Sequence, residues 1–212
     1  MKKLAIVAGV LVLIVLLLIF WIVGGYNRVV KLSQGVDQQW AQVQNVYQRR
    51  ADLIPNLVQT VSGAANFEKS TLTEITNARA SVGQVKIDPN SAPTDPAKLK
   101  EFEQSQGALS SALSRLLVVS ERYPDLKSSQ NFLTLQAQLE GTENRISVER
   151  GRFNEATQAY DTAIKTFPTV LIAGMFGYSP KPYFSATSVA QTPPTVQFDF
   201  GNKPASAPAG GK

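Results

Sequence analysis

From Leu4 to Val23 the chain runs twenty residues without a charge, dominated by Leu, Ile and Val. As a helix this run spans about 30 Å, the thickness of a bilayer's hydrocarbon core. A cleaved signal peptide fits less well. Its apolar region is about 7–15 residues long and ends at a small-residue cleavage site, whereas this run is longer and leads into Gly24-Gly25-Tyr26. Trp21 and Tyr26 stand where interfacial aromatics belong. The pattern predicts an uncleaved anchor over residues 1–25, with the bilayer as its partner through residues 4–23.

Beyond the anchor, apolar residues recur with helical period. Stepping by four and three from Val29 gives Ser33, Val36, Trp40, Val43, Tyr47, Arg50, Ile54, Leu57, Val61 and Ala64, and nine of these eleven positions are apolar. This is the stripe of a core-facing helix. Pro55 falls within it, but the register holds on both sides, which predicts a kink rather than a stop. Leu72, Ile75, Ala78 and Val82 mark a shorter helix, with Thr71 and Glu74 placed to form a capping box. Periodicity alone leaves open whether that helix is separate from the first or a bent continuation of it. Residues 83–95 read as a loop, and Asp95-Pro96 reads as an N-cap followed by a first-turn proline.

Two coiled-coil-like seams follow. One runs Leu99, Phe102, Gln106, Leu109, Leu113, Leu116, Ser120, Tyr123, and Pro124 ends that helix and opens the next. The other runs Phe132, Leu135, Leu139, Thr142, Ile146, Glu149, Phe153, Ala156, Tyr160, Ala163, Phe167 and closes at Pro168. No stretch of the body alternates with period two, so the prediction is all-α, an antiparallel bundle over residues 26–184. Val170 to Tyr178 is apolar but too short to span a bilayer. It covers one end of the bundle or touches the membrane surface. Residues 185–212, rich in Pro, Ala, Ser and Gly, are expected to be a disordered tail.

Composition narrows the chemistry. The chain has no cysteine and no histidine, which excludes disulfides, thiolate and histidine catalysis, and metal sites built on those ligands. The formal charge of +5 is spread along helices, without the clustered basic stripe and stacking aromatics of a nucleic-acid interface. Lys2, Lys3 and the terminal amine precede the anchor while Arg28 and Lys31 follow it. By the positive-inside rule this narrow excess favours a cytoplasmic N-terminus and an exported bundle.

Several polar residues are not demanded by periodicity. They are Arg49-Arg50-x-Asp52-Leu53-Ile54-Pro55-Asn56-Leu57-Val58, then Glu121-x-Tyr123-Pro124-x-Leu126, then Glu143-x-x-Ile146-x-x-x-Arg150-x-x-Phe153-Asn154. Tyr26-Asn27, Trp40, Glu68, Ala78-Arg79 and Phe167-Pro168 complete the set. This arrangement resembles the LemA family of bacterial membrane proteins, from the anchor to about Phe184. The resemblance implies an up-and-down four-helix bundle of the bromodomain-like type and a separate helix around Leu72–Val82. Ala64-Ala65 stands where a Tyr-Ala pair is usual, and Phe153 where Tyr is common. The family brings no catalytic residues and no agreed activity.

The expected function is therefore a non-catalytic interaction or scaffold protein, single-pass in the bacterial inner membrane, with an unidentified protein partner and compatibility with a homo-oligomer. One alternative is an accessory or regulatory subunit of a membrane protease or envelope-stress system. Another is an envelope hydrolase using carboxylates such as Glu121, Glu140, Glu143 and Glu149. No cofactor, metal or catalytic residue is assigned. The structural or interaction candidates are Arg49, Arg50, Asp52, Pro55, Asn56, Glu121, Tyr123, Pro124, Glu149, Arg150 and Asn154. Adjacent Arg49 and Arg50 could hold an anion, but helical neighbours point about 100° apart, which favours structural pairing. Arg50 and Glu149 both occupy core-facing positions, and a buried charge demands a partner. They are expected to pair, with Glu121 as a third member, unless both reach the rim along their aliphatic stems.

Overall fold

The computed structural model describes residues 2–64, 67–85, 87–88 and 91–185. Six helices follow in order: α1 (Lys2–Ser62), α2 (Lys69–Gln84), α3 (Pro96–Ser120), α4 (Pro124–Lys127), α5 (Gln130–Lys165) and α6 (Thr169–Met175). There is no strand among the described residues.

The first helix is unbroken for 61 residues, about 90 Å. Its N-terminal part is long and apolar enough to cross a membrane, and its apolar window is wholly exposed. From Val29 onward the same helix enters the bundle. Val29, Val36, Trp40, Val43, Ile54, Leu57 and Val61 are almost completely buried, each contributing about 1.5–3 kcal/mol for the aliphatic residues. No loop separates the two parts, because Gly24-Gly25 continues the helix.

Pro55 also lies within α1. Proline lacks the N–H that would bond the carbonyl four residues earlier. That carbonyl belongs to Ala51, and Arg79 Nε of α2 donates to it at 3.3 Å. A neighbouring helix thus occupies the acceptor that the proline frees.

The chain runs up, down, up and down through α1, α2, α3 and α5. Two helix pairs pack side by side, α1 on α5 and α2 on α3. Trp40 faces Phe153, with ring centroids 5.7 Å apart, and Arg50 faces Glu143. Ten residues up α1 therefore match ten residues down α5. Glu68–Arg122 and Glu74–Arg115 ion pairs fix α2 antiparallel to α3. The core has two apolar clusters, one around Trp40, Phe102 and Phe153, the other around Leu57, Leu116 and Phe132.

The second helix is separate, as the family resemblance implies: α1 ends at Ser62 and α2 begins at Lys69. Three local expectations change. Thr71 and Glu74 do not form the capping box of α2. The helix begins at Lys69 with Glu68 at the N-cap, Thr71 Oγ1 lies 3.4 Å from Glu68 Oε2, and Glu74 pairs with Arg115. Pro124 opens only the single turn of α4, and Ser129 precedes α5. Phe167, assigned to the last seam, is 75% exposed, because α5 ends at Lys165 and the residue leaves the helical register. Asp95 caps α3 as expected, accepting from Ala97 N–H at 2.8 Å, with Pro96 in the first turn. Of the expected tail, residues 185–212, Ser185 is held by Arg150 and Glu103, and residues 186–212 lie outside the described residues.

Candidate functional site

Arg50 is held by the middle of α1, with its side chain 2% exposed, between the two apolar clusters. A guanidinium there must satisfy its donors locally. Nη1 donates to Ser110 Oγ at 2.8 Å and to Glu143 Oε2 at 3.0 Å. Nη2 donates to the Gln106 side-chain carbonyl and to the Gln106 backbone carbonyl at 3.4 Å. Its Cζ lies 5.0 Å from the centroid of the Tyr47 ring, a cation–π geometry. The only Arg50 nitrogen left without a partner is Nε. The layer thus joins α1, α3 and α5, with one formal negative charge supplied from the rim, since Glu143 is 57% exposed.

The expected partner, Glu149, is not in this layer. It pairs with Arg152 one turn along α5 at 2.8 Å, and its Oε2 is buried without a hydrogen bond. The antiparallel register explains this. Residue 143 is level with Arg50, so residue 149 lies six residues away, about 9 Å along the axis. Glu121 is also excluded, being at the end of α3 and paired with Lys127. Arg50 does not reach the rim as a snorkelling side chain would, because it is buried at both stem and head.

A second cluster fixes the extended segment from Ser179 to Ser185 along α5. Asn154 clamps Phe184 from both sides: Nδ2 donates to the Phe184 carbonyl at 3.0 Å, and Oδ1 accepts the Phe184 N–H at 2.9 Å. The Phe184 ring stacks on Trp40 and meets Phe153 edge-on at 5.3 Å. Arg150 lies over the same ring at 4.6 Å, donates to the Ser185 carbonyl at 2.9 Å and pairs with Glu103 at 2.7 Å. Glu103 also accepts the Ser185 N–H at 3.2 Å. Further along, Asp161 Oδ1 accepts the Lys181 N–H at 3.1 Å, Tyr160 donates to the Ser179 carbonyl at 3.0 Å, and Lys181 Nζ pairs with Asp37 at 2.8 Å. An extended segment with no sheet partner has its backbone groups bonded by side chains instead.

Burial pushes the Tyr47 phenol above its ordinary value of 10.0, with the Arg150 and Arg50 cations pulling the other way. Burial, then the Asp161 carboxylate, pushes the Tyr160 phenol up. Both remain neutral hydroxyls at neutral pH.

The candidate residues therefore divide. Arg50 belongs to the buried layer, and Arg150 and Asn154 hold the C-terminal strap. Arg49, Asp52 and Asn56 are exposed on α1. Asp52 accepts from Gln48, and the Asn56 carbonyl accepts from Thr60. Tyr123 packs on Phe67 at 4.8 Å, and Pro124 starts α4. The sequence reading missed Tyr47, Gln106, Ser110, Glu103, Asp161 and Lys181 as site members, and it placed Glu143 in the family motif and among the possible hydrolase carboxylates but not as the partner of Arg50. Gln106 did carry a signal, as a polar residue on an apolar seam. Among the described residues no group of three carboxylates is placed to hold a metal ion.

Known proteins share this sequence pattern. The sequence model of the LemA family matches residues 39–198. Protein LemA of Metamycoplasma hominis is 26% identical over 155 residues, covering 73% of this chain and 66% of that protein. Magnetosome protein MamQ of Magnetospirillum gryphiswaldense is 26% identical over 183 residues, covering 79% of this chain and 67% of that protein. The chain spans about two thirds of the length of these relatives.

Proposed function

The chain belongs to the LemA family, and on that premise we propose that it is a membrane-anchored, non-catalytic interaction or scaffold protein of the bacterial cell envelope. The observation that carries this reading is the uninterrupted α1, which makes anchor and bundle one rigid post. A flexible tether would let a bundle sample many heights and orientations. A continuous helix holds it at one height and presents the same faces to a partner in or along the membrane.

The fate of the polar residues supports the non-catalytic part. The carboxylates that a hydrolase would use are distributed over separate contacts: Glu143 on Arg50, Glu121 on Lys127, Glu149 on Arg152 and Glu140 on Gln136. Acid–base chemistry needs two such groups converging on one cleft. The chain's excess of positive charge before the anchor supports a cytoplasmic N-terminus with the bundle exported.

Crosslinking with mass spectrometry in native membranes tests the proposal. The comparison is between the natural chain and a variant with a Gly-Ser linker inserted between Gly24 and Gly25. The expected result is a reproducible set of protein crosslinks that is lost or scattered by the linker while the variant stays in the membrane fraction. Crosslinks unchanged by the linker would remove the rigid-post argument. Absence of any protein crosslink above background would overturn the scaffold reading. A protease or stress-signalling subunit among the partners would narrow the role to a regulatory one.

A further inference from the structure

We propose that the membrane-proximal end of the bundle is a second membrane-contact site, with α6 lying in the bilayer interface beside the spanning helix. This rests on the reading of residues 4–23 as membrane-spanning. The anchor alone does not require it, because a bundle on a single span could stand clear of the lipid.

The placement of α6 is fixed by contacts with α1. Gly25 leaves the room: a β-carbon there would come within 2.4 Å of Ile172 Cδ1. Tyr26 meets Phe176 with ring centroids 4.7 Å apart and Tyr178 at 6.3 Å. Gly25 follows the apolar run by two residues, so α6 sits about 3 Å beyond its end. That is the headgroup and upper acyl level of a bilayer whose core is spanned by residues 4–23.

The side chains of α6 have two destinations. Ile172 and Ala173 are buried against the bundle. Val170, Leu171, Met175 and Phe176 are 40%, 57%, 73% and 52% exposed, and neighbouring Phe167 is 75% exposed. Beyond Val23, nine large apolar side chains are exposed among the described residues, and these five fall within ten positions of sequence. The other four are scattered singly, which needs no explanation. An apolar group concentrated at the level where lipid begins fits the interfacial mode, in which an apolar face sinks about 5–10 Å into the headgroup–acyl boundary. Arg28 and Lys31 are exposed on the next turns of α1, and Lys165 ends α5. These cations stand where anionic headgroups would be. Two attachment points, the span and α6, would fix the tilt and rotation of the bundle, which one span leaves free.

The chain has no cysteine, so single cysteines can be spin-labelled in the full-length protein. The chain is reconstituted in vesicles of phosphatidylcholine and phosphatidylglycerol, and collision with oxygen is compared with collision with a water-soluble nickel chelate. The sites are Leu171→Cys and Met175→Cys on the patch, Leu16→Cys in the anchor, and Val118→Cys and Val148→Cys on the bundle. All are exposed, so labelling does not disturb the core. The expected result is a several-fold higher oxygen-to-nickel ratio at the patch than at positions 118 and 148, approaching that at position 16. If the patch labels behave like position 148 while position 16 is in lipid, α6 stands in water and this inference is overturned with the anchor intact. Patch labels shielded from both probes would mean that a protein covers α6, which overturns it equally. If position 16 is also in water, the anchor reading fails and takes this one with it.

Discussion

Arg50 and its partners give a sharp test of the register. The structure couples Arg50 to Glu143 and separates it from Glu149 by about 9 Å along α5. Replacing Arg50 with Met removes a buried cation and its bonds to Ser110, Gln106 and Glu143. Glu143, 57% exposed, rehydrates at little expense, but Gln106 is only 5% exposed and keeps an acceptor without a donor. Hydrogen bonds to a charged group contribute about 1.5–3 kcal/mol, and stranding a buried polar atom costs about 1–3 kcal/mol. Arg50→Met should therefore cost about 2–4 kcal/mol. Glu143→Gln keeps an acceptor within reach and surrenders only a solvent-screened charge, so it should cost about 0.5–1.5 kcal/mol. Because Arg50→Met leaves nothing for residue 143 to bind, the double variant should cost less than the sum of the two. Glu149→Leu removes a carboxylate whose Oε2 is buried without a partner, so it should be neutral or slightly stabilising, and additive with Arg50→Met to within about 0.5 kcal/mol. The assay is thermal unfolding of the full chain in detergent, followed by far-UV circular dichroism, where 1 kcal/mol is about 2–4 °C in Tm for a protein of this size. Coupling of Arg50 to Glu149 at about 1 kcal/mol or more, with none to Glu143, would refute the register. Arg50→Met costing under about 0.5 kcal/mol would refute the buried layer itself.

Asn154→Ala should free the strap, losing two hydrogen bonds for about 1–3 kcal/mol. Hydrogen exchange at Phe184 and Ser185 should rise far more than exchange in α3; equal change in both would show a global effect instead. Gly25→Val should push Ile172 from its seat and lower Tm, and Ile172→Ala in the same chain should recover part of the loss, because the clash is with that side chain. Additive losses would show that the two residues are not in contact. Alkaline stability should depend on Tyr47. Its phenol has a raised value in the folded chain, so its contribution is complete below pH 10.0 and is lost as pH climbs from 10.0 through the native value. Melting temperatures of Tyr47→Phe should fall less steeply above pH 10 than those of the natural chain, and parallel curves would count against the assignment.

The sequence by itself determined the helices, the apolar run and the buried faces, because these follow from periodicity and composition within short stretches of chain. Val29 through Val61 are core residues where the stripe placed them, Asp95 caps α3, and α1 runs through Pro55. The tertiary structure decided what each polar residue meets. Two core-facing charges, Arg50 and Glu149, invited each other, but their levels depend on where α1 and α5 begin and end and on the caps and turns between them. The antiparallel register sets Arg50 level with Glu143, at the exposed edge of the seam, and leaves Glu149 six residues away. Arg79 has no meaning in its own helix until the carbonyl freed by Pro55 stands beside it. The strap from Ser179 to Ser185 lacks any period. It is held by Asn154 and Arg150, which the sequence marked as candidates without a partner, and by Glu103 and Asp161, which read as surface polar residues in one dimension. Local sequence fixes which face of a helix is dry. Only the packing of one helix against another fixes which donor meets which acceptor, since that pairing is a property of two distant segments and of the length of everything that joins them.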